Sequence, residues 1–210
     1  MLASSHQICS IALAEGYFLS TNNICMATLA SGLALIVGTD IGALLPDVDQ
    51  RNSKINQKLP IKIDGFFEHR GMTHSLIGWV LFVWISHWLF CVISDFNNYQ
   101  QPYAHWWFCL WLGLVIGYFL HLVEDSFSQA GIRWLQPFSK YDKWAYAKHR
   151  TLLRSVHHYK KDSRGKKIPC RHWWGRGYKV GGDFEMILRA IALIYVLYIT
   201  VRWVFTLTTH

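Results

Sequence analysis

Four apolar runs, each about as long as a bilayer is thick, limit what this 210-residue chain can become: 24–45, 75–94, 105–123 and 184–207. The hydrocarbon core of a membrane is crossed by about 20 helical residues, so each run is long enough to span it. A soluble, very hydrophobic helical protein is the alternative, and it would need an unusually large core to bury four such segments. A composition 52% hydrophobic and only 16% charged agrees with burial in lipid. Residues 2–20 form a weaker fifth run interrupted by Glu15, either another span or a helix lying at the interface. The expected fold is therefore all-α, a polytopic membrane bundle of four or five transmembrane helices.

The polar connections set its orientation. Residues 46–73 carry five Lys/Arg and residues 124–183 carry fourteen, while the connection 95–104 carries none. The positive-inside rule makes the two basic sides cytoplasmic. Trp106 and Trp107 open the third run like an interfacial belt, and Arg189 and Arg202 sit near the ends of the fourth, where long side chains snorkel. The five cysteines are scattered, four of them in apolar segments, and read as reduced, mostly buried thiols rather than a disulfide framework. No Lys or Arg precedes Arg51, which argues against a cleavable signal with a basic start. Three parts are expected: a membrane-embedded core over 1–140, a basic aromatic juxtamembrane region over 141–183, and a last transmembrane helix over 184–210.

Three motifs carry chemistry. Leu45-Pro46-Asp47-Val48-Asp49 closes the first strong run, where proline stops the helix and extended backbone presents two carboxylates, either to a cation or to solvent. Glu68-His69-Arg70-Gly71-Met72-Thr73-His74-Ser75 opens the second, with Thr73 placed to cap the helix and His74 in its first turn. His121-Leu122-Val123-Glu124-Asp125 closes the third, and residues four apart share a helical face, a spacing that suits two metal ligands. Glu124 points elsewhere, toward a rim or supporting role. The topology confines Asp47, Asp49, His69, His74, His121 and Asp125 to one thin cytoplasmic layer. Ionisable groups at membrane depth are costly and tend to be paired or functional. Mixed imidazole and carboxylate donors suit zinc, manganese or iron better than calcium or magnesium. The chemistry expected is metal-assisted hydrolysis, with water acidified by a divalent cation. Arg70 either binds an anionic group or anchors to a lipid headgroup.

These motifs, with Gly117-Tyr118-Phe119-Leu120 ahead of His121 and Ala130-Gly131 and Pro137 behind Asp125, resemble the YdjM-like family of bacterial inner-membrane metal-dependent hydrolases in order and spacing over roughly residues 1–140. The resemblance implies a multi-pass inner-membrane protein and a hydrolase activity. It also implies an early histidine in the site, here His6, which requires residues 2–20 to cross the membrane and Glu15 to find a protein partner inside it. The chain departs from the family pattern at Gln50 and Gln129.

The metal set expected is His6, Asp47, Asp49, His69, His74, His121 and Asp125, holding a divalent ion with zinc ahead of manganese or iron. Arg70 would orient an anionic group, and Glu124 is the reserve general base. The reaction expected is hydrolysis of a phosphoester or related ester, lipid esters included. Thirteen Lys/Arg between 140 and 179, interleaved with Trp144, Tyr146, Tyr159, Trp173 and Trp174, read first as adhesion to anionic membrane lipids and second as recruitment of an anionic substrate, with nucleic acid a less favoured partner. The competing class is non-enzymatic: a metal that staples helix ends together, or an ion transporter built on Asp40 and Glu15.

Overall fold

The computed structural model describes residues 2–21, 24–49, 72–97, 106–128, 132, 134–135, 158–161, 167–170 and 181–209. Among the described residues five helices carry the fold: α1 (Ala3–Ser20), α2 (Leu29–Gly42), α3 (Leu76–Phe96), α4 (Trp106–Ser126) and α5 (Asp183–Thr209). Short 3-10 turns cover Ile24–Met26, Pro46–Asp49 and Met72–His74. One antiparallel hairpin, β1 (His158–Lys161) with β2 (Lys167–Cys170), lies in the basic segment. Three helices, α3, α4 and α5, are long and apolar enough to cross a membrane; α2 is apolar but has 14 residues. On α3 the apolar side chains point in every direction, and Trp84 and Trp88 are 72% and 63% exposed. A helix that is hydrophobic all round without a protein cover belongs in lipid.

The tightest pair is α2 with α4. Gly38 and Gly42 on α2 face Gly113 and Gly117 on α4, and a Cβ at any of them would run into backbone of the other helix, at Leu110, Leu114, Leu35 and Thr39. In lipid no hydrophobic force separates helix–helix from helix–tail contact, so close backbone approach through small residues supplies the attraction. Gly38 meets Leu110 and Gly42 meets Leu114, so the two helices run parallel and their C-terminal ends lie together.

The other helices alternate around this pair. Tyr118 of α4 donates its hydroxyl to the Thr73 carbonyl just before α3 (2.7 Å), which brings the start of α3 to the same end. Along α1 and α5, Glu185 accepts from the Leu2 amide (2.6 Å), Arg189 donates to Ser4 (3.1 Å) and Thr200 donates to Glu15 (3.1 Å), so these two also run parallel. Glu185 accepts from the Gly181 amide as well (2.8 Å) and thus caps the starts of both helices. Thr200 is a protein partner for the buried Glu15, which would otherwise be a buried polar group without a hydrogen bond. At the opposite end the Trp203 indole donates to the Met26 carbonyl (2.8 Å) and its ring fills the space left by Gly32.

Two local expectations change. Ser75, not Thr73, caps α3: its backbone is extended and its hydroxyl accepts from the Gly78 amide (3.1 Å). His74 therefore precedes the helix, in the turn Met72–His74. The chain can fold back over the first turn of α3 only because Gly78 has no side chain to meet the Met72 carbonyl. The Asp-x-Asp segment is likewise a 3-10 turn rather than extended backbone, closed by the Val48 amide on the Leu45 carbonyl (3.1 Å). Proline suits the start of such a turn because its φ is already near −65° and it has no N–H to satisfy.

Candidate metal centre

Each donor reaches the site through the element that ends beside it. The parallel α2–α4 pair delivers Asp47 just past α2 and His121 and Asp125 on the last turns of α4. The turn before α3 delivers His74, and the first turns of α1 deliver His6. Two overlapping groups result, His6 with His121 and Asp125, and Asp47 with His74 and His121, the donor atoms within each lying within 4.8 Å of one another.

The separations run from long hydrogen bonds to the spacing of ligands that share one ion. His6 Nε2 is 3.3 Å from Asp125 Oδ1, and His74 Nε2 is 3.5 Å from Asp47 Oδ1. His121 Nε2 is 3.8 Å from Asp47 Oδ1 and 4.0 Å from Asp125 Oδ2. Donors bonded to one ion at about 2.1 Å lie roughly 3.4 Å apart in a tetrahedron, and about 4.2 Å is the limit for two donors on opposite sides of the ion.

His121 supplies the test of fit. Its Nδ1 donates to the Ala43 carbonyl (2.7 Å), which puts the ring proton there and leaves a lone pair on Nε2. That Nε2 is fully buried, has no hydrogen-bond partner, and points between two carboxylates. Such an atom is costly to bury unless a cation completes it, so the donor set fits a divalent metal.

His6 is oriented in the same way by a carboxylate. Its Nδ1 donates to Glu124 Oε2 (2.6 Å), and Ser10 donates to Glu124 Oε1 (3.2 Å). The His6 and His121 rings stack with centroids 3.8 Å apart, and the Nε2 of each faces the Asp125 carboxylate. His74 meets His121 edge-on at 5.3 Å, with its Nδ1 at 3.2 Å from the Thr73 hydroxyl. Burial alone would raise the Asp47 carboxyl, but the hydrogen bond with His74 and the charges of the neighbouring histidines hold it below its ordinary value.

The structure thus brings together His6, Asp47, His74, His121 and Asp125, with Glu124 behind His6. His69 and Arg70 lie outside the described residues. Asp49 belongs to the turn Pro46–Asp49 by its backbone, and its side chain also lies outside them. Sequence reasoning missed the Ala43 carbonyl and Ser10, for which no side-chain pattern exists. It also missed the paired Gly-x-x-x-Gly spacings of α2 and α4, which were there to be read.

Fold and site define a class: a helical membrane protein whose helix ends converge on a buried histidine–carboxylate cluster. A family model described as YdjM inner membrane protein matches residues 1–208, and the chain belongs to that family. It is accordingly a multi-pass protein of the bacterial inner membrane, and the match continues through the basic segment that the motifs alone did not reach. The chain is similar to YvsG of Bacillus subtilis, described as uncharacterized, with 33% identity over 100 residues, 46% of this chain and 53% of that protein. It is 27% identical to YfhP of the same organism over 69% of this chain and 39% of that protein. With the inner membrane protein YdjM of Escherichia coli it shares 29% identity over 65% of this chain and 66% of that protein. The chain therefore spans less than two thirds of the length of each of these relatives. No solved structure matches it.

Proposed function

We propose that the chain is a membrane-bound metal-dependent hydrolase of phosphoesters or related esters, lipid esters included, with its site at the cytoplasmic face of a five-span bundle. The observation that carries this reading is the His121 Nε2, buried and aimed between Asp47 and Asp125, with the Ala43 hydrogen bond holding the ring proton on Nδ1 so that the Nε2 lone pair faces the carboxylates. Both donor groups need that one nitrogen, and one lone pair serves one ion, so the reading is a single metal. His6, His74, His121, Asp47 and Asp125 are the donors available to it, while His69 and the Asp49 side chain, the further donors expected from the sequence, lie outside the described residues. Imidazole with carboxylate favours zinc, then manganese or iron. A divalent cation supplies Lewis acidity there, acidifying water and polarising an ester oxygen.

The chain's own groups do the rest. Glu124 keeps His6 turned toward the site through its Nδ1, an orienting role, and whichever of Asp125 and Asp47 does not hold the ion is placed to take a proton from water. Asp47 has a side chain 13% exposed, against 0–2% for His74, His121, His6 and Asp125, so water and substrate approach from the Asp47 side. Arg70 and the basic segment 141–183, assigned to the cytoplasmic side by the sequence alone, would raise the local concentration of an anionic substrate. The orientation rests on the basic connections at this end of the bundle and the uncharged connection 95–104 at the other.

Purified protein in lipid nanodiscs should carry about one ion per chain by elemental analysis and hydrolyse a chromogenic phosphodiester or a phospholipid, and His121→Ala should lose both metal and turnover. Metal-loaded protein that turns over neither probe ends the enzyme reading. A structural metal staple is the second reading, favoured by the near-complete burial of His6, His121 and Asp125. It predicts that His74→Ala lowers the melting temperature with no activity to lose.

A further inference from the structure

At the end of the bundle away from the metal centre, two cysteines from different segments share one small core. Cys25 lies in the turn Ile24–Met26 between α1 and α2, and Cys109 lies in the first turn of α4. They are 0% and 2% exposed, belong to the same buried cluster, and their thiols hydrogen-bond to each other. Cys9 lies in the half of α1 nearer the metal centre and Cys91 near the end of α3; neither joins this cluster.

We infer that Cys25 and Cys109 are a disulfide site on the extracytoplasmic side of the membrane. This rests on the orientation given above, which puts the turn after α1 and the start of α4 opposite the basic, cytoplasmic end. Disulfides form and persist in that oxidising compartment and are rare in the cytosol. The chemistry is thiol–disulfide exchange with a disulfide-carrying oxidoreductase: the two thiols lose two electrons and two protons and form one S–S bond, and the donor's disulfide is reduced to two thiols. Burial does not block the step. Trp203, from the last helix, belongs to the same buried cluster, so the bond would form before that helix completes the core. Once Trp203 is in place, the same burial protects the bond from reduction. The bond would join the far ends of the α2–α4 pair, whose near ends hold Asp47 and His121, and close a loop of roughly 84 residues in the unfolded chain.

The test uses the full chain in bacterial membranes, acid-quenched, denatured without reductant and alkylated, with a parallel C-terminal alkaline phosphatase fusion reporting the side on which α5 ends. The expected result is three alkylated cysteines of the five, a Cys25–Cys109 peptide pair by mass spectrometry, and an active phosphatase. Cys25→Ala should expose Cys109 to alkylation and lower the melting temperature as much as reductant lowers that of the wild type. Free Cys25 and Cys109 beside an active phosphatase overturn the disulfide alone. Free thiols with an inactive phosphatase overturn the orientation, and with it both this inference and the cytoplasmic placement of the metal centre.

Discussion

His121 is gripped on one nitrogen by a backbone carbonyl and presents the other to two carboxylates, and this asymmetry gives the cluster its chemistry. Glu124 does for His6 what Ala43 does for His121, but with a charge that can be removed. Glu124→Gln should leave the protein folded and weaken metal binding by about 10- to 100-fold, the usual effect of losing a carboxylate behind a ligating histidine. Competition against a calibrated chelator reads this, and an unchanged affinity would refute the orienting role. Asp47 gives a pH signature in the metal-free protein. Its folded carboxyl lies below the ordinary value of 3.8, so its contribution is present above that value and is lost as pH falls through the lower folded one. Melting curves of wild type and Asp47→Asn should therefore differ at neutral pH and converge in acid below about 3.8.

Among the elements, the α2–α4 pair decides whether a site exists at all. Gly42 seats on Leu114 within a turn of the Ala43 carbonyl that orients His121, so the packing seam runs directly into the donor cluster. Gly117→Ala forces a Cβ against the Thr39 carbonyl and should cost about 1–3 kcal/mol, as overpacking does, while also releasing metal. Leu33→Ala, on the exposed face of α2, should do neither. Thermal melts and metal content of the two variants check this. Ser75→Ala should lower stability by about 1 kcal/mol through loss of the α3 cap, whereas Thr73→Ala should leave the cap intact. The sequence offered both hydroxyls within three residues. Only the fold-back of Met72 over Gly78 selects Ser75.

At the scale of the whole molecule, the five helices of the described residues bring α1 start, α2 end, α3 start, α4 end and α5 start to one side. A metal that binds only the folded bundle stabilises it by mass action, so chelation should lower the melting temperature, and the shift should shrink in His121→Ala. Scanning fluorimetry of both proteins with and without chelator measures it. α5 is set apart in sequence by the long basic segment, yet it lies along α1, with Glu185 capping both helices and Thr200 satisfying Glu15.

The sequence by itself determined the three membrane-length helices and the single layer holding Asp47, His74, His121 and Asp125. Hydropathy, charge asymmetry and four-residue spacing are local properties, and they survive without knowing which helix touches which. His6 came only through likeness to a family, because one histidine in a weak apolar run has no local signature. The tertiary structure decided which donors face one another and that Glu124 serves His6. It also decided that Ala43, a residue with no polar side chain, fixes the tautomer of His121. Those outcomes depend on the distance and rotation between helices, set here by glycines at 38, 42, 113 and 117, and no single segment encodes its partner.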